Sequence, residues 1–403
     1  MTLIGVLGAG TMGAGIGQLV AAHGCNVVLS DVNDQIVRQA IEGIGQRLGR
    51  LVAKGSMTSE NRDQVLKRLQ PATGSESFAK CALVIEAVAE RVDVKAQVFE
   101  SVRTKVSPQT IFASNTSSLS ITKIGQAIGE GRRLVGMHFF NPAPLMPLVE
   151  IIAGTESDPA AVDKVAAYAK EWGKTVVRAI DRPGFIVNRI ARGFYLESLR
   201  MLGEGIAGVA EIDRSLREAG GFRLGPFELM DLIGIDINYG VSVSVWEQLD
   251  QPARLKPHPL QAELCQRGQL GRKTKRGFYV YQGEEALPAI ELEQKPFQIP
   301  KPVQEALAPF VARAAENAAP PLDSYIFARV LVTIINEAMF AFAEGVASKE
   351  DIDTALRLGT NYPRGPMQWA EQIGLDRCVT LLRALNSTVD DGRFIPAELL
   401  ERR

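Results

Sequence analysis

Two ionisable residues interrupt an otherwise apolar run, GMHFFNPAPLMPLVEI at positions 136–151: His138 and Glu150, twelve residues apart. Histidine is scarce, with only His23, His138 and His258 in 403 residues. A buried charge is costly unless it is paired. The two could therefore satisfy each other in a quiet core, the commoner fate of a histidine among apolar neighbours. They could also be paired to move a proton. Imidazole titrates near working pH and suits a general base. A carboxylate on its second ring nitrogen would fix the tautomer and stabilise the imidazolium. Ser117, in SNTSSL (114–119), offers a hydroxyl that could hold a substrate oxygen. The same serines also read as turn and cap residues.

The elements around these residues decide which chemistry is in reach. TLIGVLGAGTMGAGIGQLVAAHGCNVVLSDVN, beginning at Thr2, reads as strand, glycine turn, helix and second strand ending at Asp31. Gly8, Gly10 and Gly13 form G-x-G-x-x-G with Thr11 and Met12 between them, and the acid follows the third glycine by 18 residues. Such glycines permit a tight turn, close approach of a pyrophosphate and close helix–strand packing, and the helix N-terminus offers free N–H groups. Asp31 would accept from a ribose 2′-hydroxyl and repel a 2′-phosphate, and no Lys or Arg follows until Arg38, so NAD is predicted over NADP. Further strands are expected at 82–88, 110–115 and 133–140. The pattern predicts an α/β domain with a Rossmann-type, doubly wound parallel sheet over residues 1–181. Ligands of such sheets lie beyond the carboxyl ends of the strands, where SNTSSL and His138 fall. There an alcohol could lose its hydroxyl proton to His138 as hydride leaves the same carbon.

From Arg182 the sequence turns helical and repeats itself. Shifted by 140 positions, 185–236 aligns with 325–376 without a gap and with 15 of 52 residues identical. Arg189 matches Arg329, Glu197 matches Glu337, and Glu204–Gly205 matches Glu344–Gly345. An all-α domain in two tandem copies is predicted, at 182–282 and 323–403, joined by a Glu/Pro-rich linker (283–322) with a helix near 303–318. Residues kept in both copies are candidates for fold. Asn188 is not kept: its counterpart is Ala328, which makes Asn188 a candidate for function.

The stretches GAGTMGAGI, ERVDVK, SNTSSLSI, GMHFFNPAPLMPLVEI and RPGFIVNRI, in this order along nearly the whole chain, resemble the successive signatures of the L-3-hydroxyacyl-CoA dehydrogenase family. The resemblance implies NAD-dependent oxidation of an (S)-3-hydroxyacyl-CoA, reversibly, to the 3-oxoacyl-CoA. It implies His138 as catalytic base, Glu150 as its partner, and Ser117 and Asn188 as substrate contacts in an interdomain cleft. It puts Asp31, Glu90, Lys95, Asn115, Asn141 and Lys273 on NAD-contacting positions, beside the glycine loop. It puts Lys54 on a position that binds a coenzyme A phosphate, with Arg47 and Arg50 earlier on the same basic segment; by charge pattern alone that segment reads equally as a solvated helix face. Pro147 stands where relatives commonly carry lysine. Family members with one helical copy dimerise through it, so a fused second copy implies an intrachain pseudo-dimer, with further homodimerisation left open. The two-copy form is similar to bacterial enzymes that act on 3-hydroxyadipyl-CoA or 3-hydroxybutyryl-CoA in phenylacetate or short-chain catabolism.

Bulk properties set the remaining bounds. With 45 basic and 46 acidic residues, nothing global attracts nucleic acid or an anionic membrane. Cys25, Cys81, Cys265 and Cys378 are far apart and form no CxxC pair, as expected of reduced cytoplasmic thiols with no metal site. The chain starts directly in an expected strand, so no cleaved signal is expected. No apolar run is expected to reach the roughly 18 residues of a membrane span; 329–346 comes nearest, broken by Asn336 and Glu337. Two rival readings are a dehydrogenase of a free sugar acid such as gulonate, which would not need the basic segment, and a crystallin-like structural relative, which would need none of the site.

Overall fold

The computed structural model describes residues 1–283, 285–290, 293, 295–389 and 391–401. Four positions of the expected linker (284, 291, 292 and 294) and three of the expected second copy (390, 402 and 403) lie outside the described residues. Packing divides the chain into two compact units, Met1–Phe185 and Ile186–Arg403.

The first unit alternates strand and helix. Its elements are β1 (Leu3–Leu7), α1 (Thr11–Ala22), β2 (Asn26–Ser30), α2 (Asp34–Ala53), α3 (Ser59–Arg68), β3 (Leu69–Pro71), β4 (Leu83–Glu86), α4 (Val92–Arg103), β5 (Ile111–Ser114), α5 (Ile121–Ile128), β6 (Leu134–Phe139), β7 (Leu148–Ala153), α6 (Pro159–Glu171) and β8 (Thr175–Ile180). The strands form one sheet in the order β3-β2-β1-β4-β5-β6-β7-β8. Their short, unbroken apolar runs suit strands covered on both faces, and Ile4, Val6, Leu83, Ile85, Val135 and Met137 anchor the core. Side chains cap two of the helix starts near the strand ends: Asn33 accepts from Ile36 N and Ser120 from Lys123 N. The chain order reverses at β1, between β2 and β4, so a crevice is expected over the carboxyl ends of β1 and β4.

The sheet departs from the expected parallel arrangement at one seam. β6 and β7 pair antiparallel, while β7 and β8 run parallel to each other. β3, β7 and β8 were not among the strands read from sequence.

The second unit is helical: α7 (Val187–Ile190), α8 (Arg192–Gly203), α9 (Val209–Gly220), α10 (Pro226–Ile233), α11 (Ile235–Gln248) and α12 (Pro259–Gln266), then a hairpin of β9 (Tyr279–Gln282) and β10 (Glu285–Pro288), then α13 (Lys301–Ala314), α14 (Pro321–Ala343), α15 (Lys349–Gly359), α16 (Pro366–Ile373), α17 (Leu375–Asn386) and α18 (Glu398–Glu401). The 140-residue shift maps α9, α10 and α11 onto α15, α16 and α17 with identical starting positions. In each copy a buried aspartate receives the first N–H groups of the next helix. Asp213 accepts from Phe227 N and Glu228 N, and Asp353 from Met367 N and Gln368 N. Gly225 and Gly365 precede those helices because a Cβ at either would fall 2.2 or 2.1 Å from the aspartate carboxyl carbon.

The two copies grip each other reciprocally. Arg189 binds Glu337 at 2.7 Å and Glu344 at 2.6 Å, and Arg329 binds Glu197 at 2.7 Å and Glu204 at 2.8 Å. Each arginine thus holds the glutamates one repeat away from those of its own copy, as an isologous contact requires. One expectation needs correcting here. α14 is 23 residues long and, by length and composition alone, apolar enough to cross a bilayer; 78% of its apolar stretch is buried inside this unit, where it is the core helix.

Candidate active site

The twelve-residue spacing of His138 and Glu150 is the spacing of a cross-strand pair. The antiparallel register of β6 and β7 sets the two directly opposite each other, the closest approach a sheet gives two side chains. His138 Nδ1 lies 2.6 Å from Glu150 Oε2. Glu150 is fully buried and His138 is 6% exposed. With Nδ1 engaged by the carboxylate, Nε2 is the ring nitrogen that this pairing leaves over. Phe140 and Phe185 border the imidazole, with ring centroids 4.6 and 6.0 Å away. This arrangement can take a proton at Nε2 and hold the resulting charge against a buried acid.

The serine loop after β5 is organised by Glu90. One oxygen of that carboxylate accepts from Thr116 Oγ1 (2.7 Å), Ser117 N (2.8 Å) and Ser118 N (3.0 Å), and from the Ser117 and Ser118 hydroxyls (3.2 and 3.1 Å). Its other oxygen meets Lys95 Nζ at 3.1 Å. Burial opposes the charge, but Lys95 and these donors hold the Glu90 carboxyl below its ordinary range. Asn115, at the mouth of β5, accepts from Phe139 N through Oδ1 at 2.9 Å and so ties the serine loop to the end of β6.

The glycine loop fits a dinucleotide. Gly8 has φ +102°, and a Cβ there would sit 2.6 Å from Ala87 O; a Cβ on Gly13 would sit 1.8 Å from Gly8 O. At Gly10 a Cβ would meet nothing within 4 Å, so there is open space in front of the N-terminus of α1. No side chain caps that terminus, which leaves the first-turn N–H groups around Thr11 and Met12 for a phosphate. Asp31, just past β2, accepts from Ala9 N (2.6 Å) and Val32 N (2.7 Å), so the acid expected at a ribose also fastens the loop.

Other expected contacts are placed differently. Lys95 is 1% exposed, and its ammonium serves Glu86 (2.8 Å) and Glu90 within the protein. Asn141 is exposed on the β6–β7 connection. Lys273 lies in the helical unit and pairs with Asp236, 2.6 Å to Oδ2. Asn188 lies on α7 of that unit. Arg47 and Arg50 share one face of α2, and Lys54 is its C-cap; Arg47 Nε is drawn to Gln18 Oε1 of α1 at 3.0 Å, while Arg50 and Lys54 are exposed.

Two residues that sequence reading passed over hold the site. Fully buried Glu86 accepts from Lys95, Ser114 Oγ (2.6 Å) and Val88 N (2.6 Å), linking the ends of β4 and β5. Lys174 donates to Ala143 O and Met146 O, both at 2.7 Å, and pins the connection that ends at exposed Pro147. Burial pulls its pKa below that of a free lysine. An acid closing a strand of a predicted nucleotide fold was a usable signal for Glu86; Lys174 had none, since its partners are backbone carbonyls 28 and 31 residues away.

What these strand ends assemble, a phosphate cradle beside a carboxylate-backed histidine, is the equipment of a nicotinamide-dependent dehydrogenase. The NAD binding domain of 3-hydroxyacyl-CoA dehydrogenase matches residues 3–182, and the C-terminal domain of the same enzyme class matches 184–281 and again 325–403. The chain belongs to the 3-hydroxyacyl-CoA dehydrogenase family and uses NAD. It is 37% identical to 3-hydroxyadipyl-CoA dehydrogenase of Escherichia coli (strain K12), over 99% of this chain and 97% of that one. A 3-hydroxybutyryl-CoA dehydrogenase of Bradyrhizobium diazoefficiens is 38% identical over 71% of this chain and 97% of its own length. The crystal structure of 3-hydroxybutyryl-CoA dehydrogenase from Escherichia coli K12 superposes with a TM-score of 0.88 at 36% identity, covering 99% of this chain and 97% of that one.

Proposed function

We propose that this chain oxidises the 3-hydroxyl of a short (S)-3-hydroxyacyl-CoA, 3-hydroxybutyryl-CoA or 3-hydroxyadipyl-CoA, with His138 as the general base. The observation that carries the reading is the 2.6 Å contact between His138 Nδ1 and Glu150 Oε2. His138 Nε2 takes the hydroxyl proton, and Glu150 holds the ring orientation and balances the imidazolium. Bound NAD supplies the hydride acceptor. Ser117 and Asn188 are the substrate-oxygen contacts. The Glu90 carboxylate fixes the serine loop, and Lys95 acts through it. Gly8, Gly10, Thr11, Met12, Gly13, Asp31, Asn115, Asn141 and Lys273 are the cofactor-side residues. Arg47, Arg50 and Lys54 form a basic stripe for the coenzyme A phosphates. The facing helical copies serve as an intrachain pseudo-dimer, and charge balance and dispersed thiols favour a cytoplasmic location.

NADH oxidation with acetoacetyl-CoA, compared with free acetoacetate and gulonate, tests the substrate class. Turnover of the free acids at the thioester's rate would overturn it. His138→Gln should leave NADH binding intact and lower kcat by about 10²–10⁴-fold, the usual contribution of a general base. Near-parental turnover in that variant would remove the mechanism.

A further inference from the structure

The two helical copies differ beside Asn188. In the second copy α14 runs unbroken through residues 327–332. In the first, the matching stretch is two helices, with Ala191 as the joint between α7 and α8. Arg192 pins that joint. Its Nε donates to Asn188 O at 2.9 Å, and its Nη1 donates to Asn238 O (3.0 Å) and Ser242 Oγ (2.9 Å) on α11. Ser242 Oγ donates to Asn238 O at 3.0 Å, and Gln261 Nε2 on α12 donates to Asn238 Oδ1 at 2.9 Å. The guanidinium carbon sits 4.8 Å from the centre of the Tyr195 ring.

Arg192 is 3% exposed, and each of these acceptors is neutral. A buried cation without a carboxylate is costly, and burial lowers the pKa of this one. The second copy shows that the fold does not need it. One repeat on, Asn188, Arg192, Asn238 and Ser242 become Ala328, Val332, Cys378 and Leu382, all buried. The polar network is present only in the copy that carries the asparagine.

We propose that Arg192 is a positioning residue for the dehydrogenation: by tying the Asn188 carbonyl to α11, it fixes the turn that aims the Asn188 amide at the substrate oxygen. This rests on the reading of Asn188 as a substrate contact. A double-mutant cycle on the full chain separates the two ideas, using kcat/KM for acetoacetyl-CoA, the Kd for NADH by fluorescence titration, and Tm. Asn188→Ala and Arg192→Val, the latter installing the second copy's residue, should each lower kcat/KM by about tenfold or more, as expected for directly bonded residues. NADH Kd should stay within about twofold of parental. The double variant should be no worse than Asn188→Ala alone, because Arg192 acts through Asn188. Parental kcat/KM in Arg192→Val, or losses that multiply in the double variant, would overturn the proposal while leaving Asn188 in place. Parental kcat/KM in Asn188→Ala would overturn the Asn188 reading and the proposal with it. If Arg192→Val does not fold, Ser242→Ala removes one anchor, and the same cycle with Asn188→Ala applies.

Discussion

The first and second helical copies share a scaffold and differ in what they carry. Both keep the aspartate that caps α10 or α16, the glycine before that helix, and the arginine and two glutamates of the reciprocal grip. Only the first keeps an asparagine at 188, a broken helix and a buried polar network; the second fills the same positions with Ala328, Val332, Cys378 and Leu382. One sequence thus separates residues that both copies share from residues that only one copy carries.

The largest test of this comparison deletes one side of it. Cutting after about residue 290 removes α14, whose apolar stretch is 78% buried, and exposes the face of the first copy. The fragment should dimerise or precipitate, as read by light scattering. A well-behaved active monomer would show that the second copy is dispensable.

The shared grip should be symmetric in energy. Glu197→Gln and Glu337→Gln each leave a buried arginine short of a carboxylate, and each should cost about 3–5 kcal/mol in urea unfolding. A loss in one variant with none in the other would break the symmetry.

The grip also titrates. Burial alone would raise the pKa of Glu197, but Arg329, Arg200 and Arg393 pull it down to about 2. Because its folded pKa lies below the unfolded value, the stability Glu197 contributes is present above about pH 4.5 and is lost as pH falls toward 2. About 3 kcal/mol of acid dependence should therefore flatten in Glu197→Gln, measured by urea unfolding across that window.

The smallest effects concern position 188 and its counterpart. Asn188→Ala should lower turnover about tenfold with a stability change below about 1 kcal/mol, since surface-proximal changes away from packing defects rarely cost more. Ala328→Asn should leave turnover intact and cost about 1–3 kcal/mol, for an amide placed in an apolar site. Comparable turnover losses in both variants would end the functional asymmetry.

The glycine loop and its strand–helix–strand setting were legible in the sequence because their geometry is local. A glycine loop, a helix start and an acid at the next strand end lie within 31 residues. The repeat was legible because it is a comparison internal to the chain. The antiparallel seam was not: LVEIIA and TVVRAI are short apolar runs whose direction depends on which neighbour they meet, which periodicity does not encode. That seam nevertheless explains the spacing of His138 and Glu150, which sequence supplied as a pair without its geometry. Lys95 shows the other limit. Its ammonium lies between Glu86 and Glu90, a pairing hidden in the sequence because only the fold brings those acids together. Lys174 is the extreme case, a lysine whose partners are carbonyls of a distant loop.

The grip between the copies has a consequence for behaviour at low concentration. An interface of this kind between separate chains comes apart on dilution, because its occupancy follows mass action. Here both halves hang on one backbone, and their effective concentration is set by the connecting segment whatever the amount of protein in solution. The first copy therefore keeps its companion when the protein is scarce, and that companionship is inherited with every chain made.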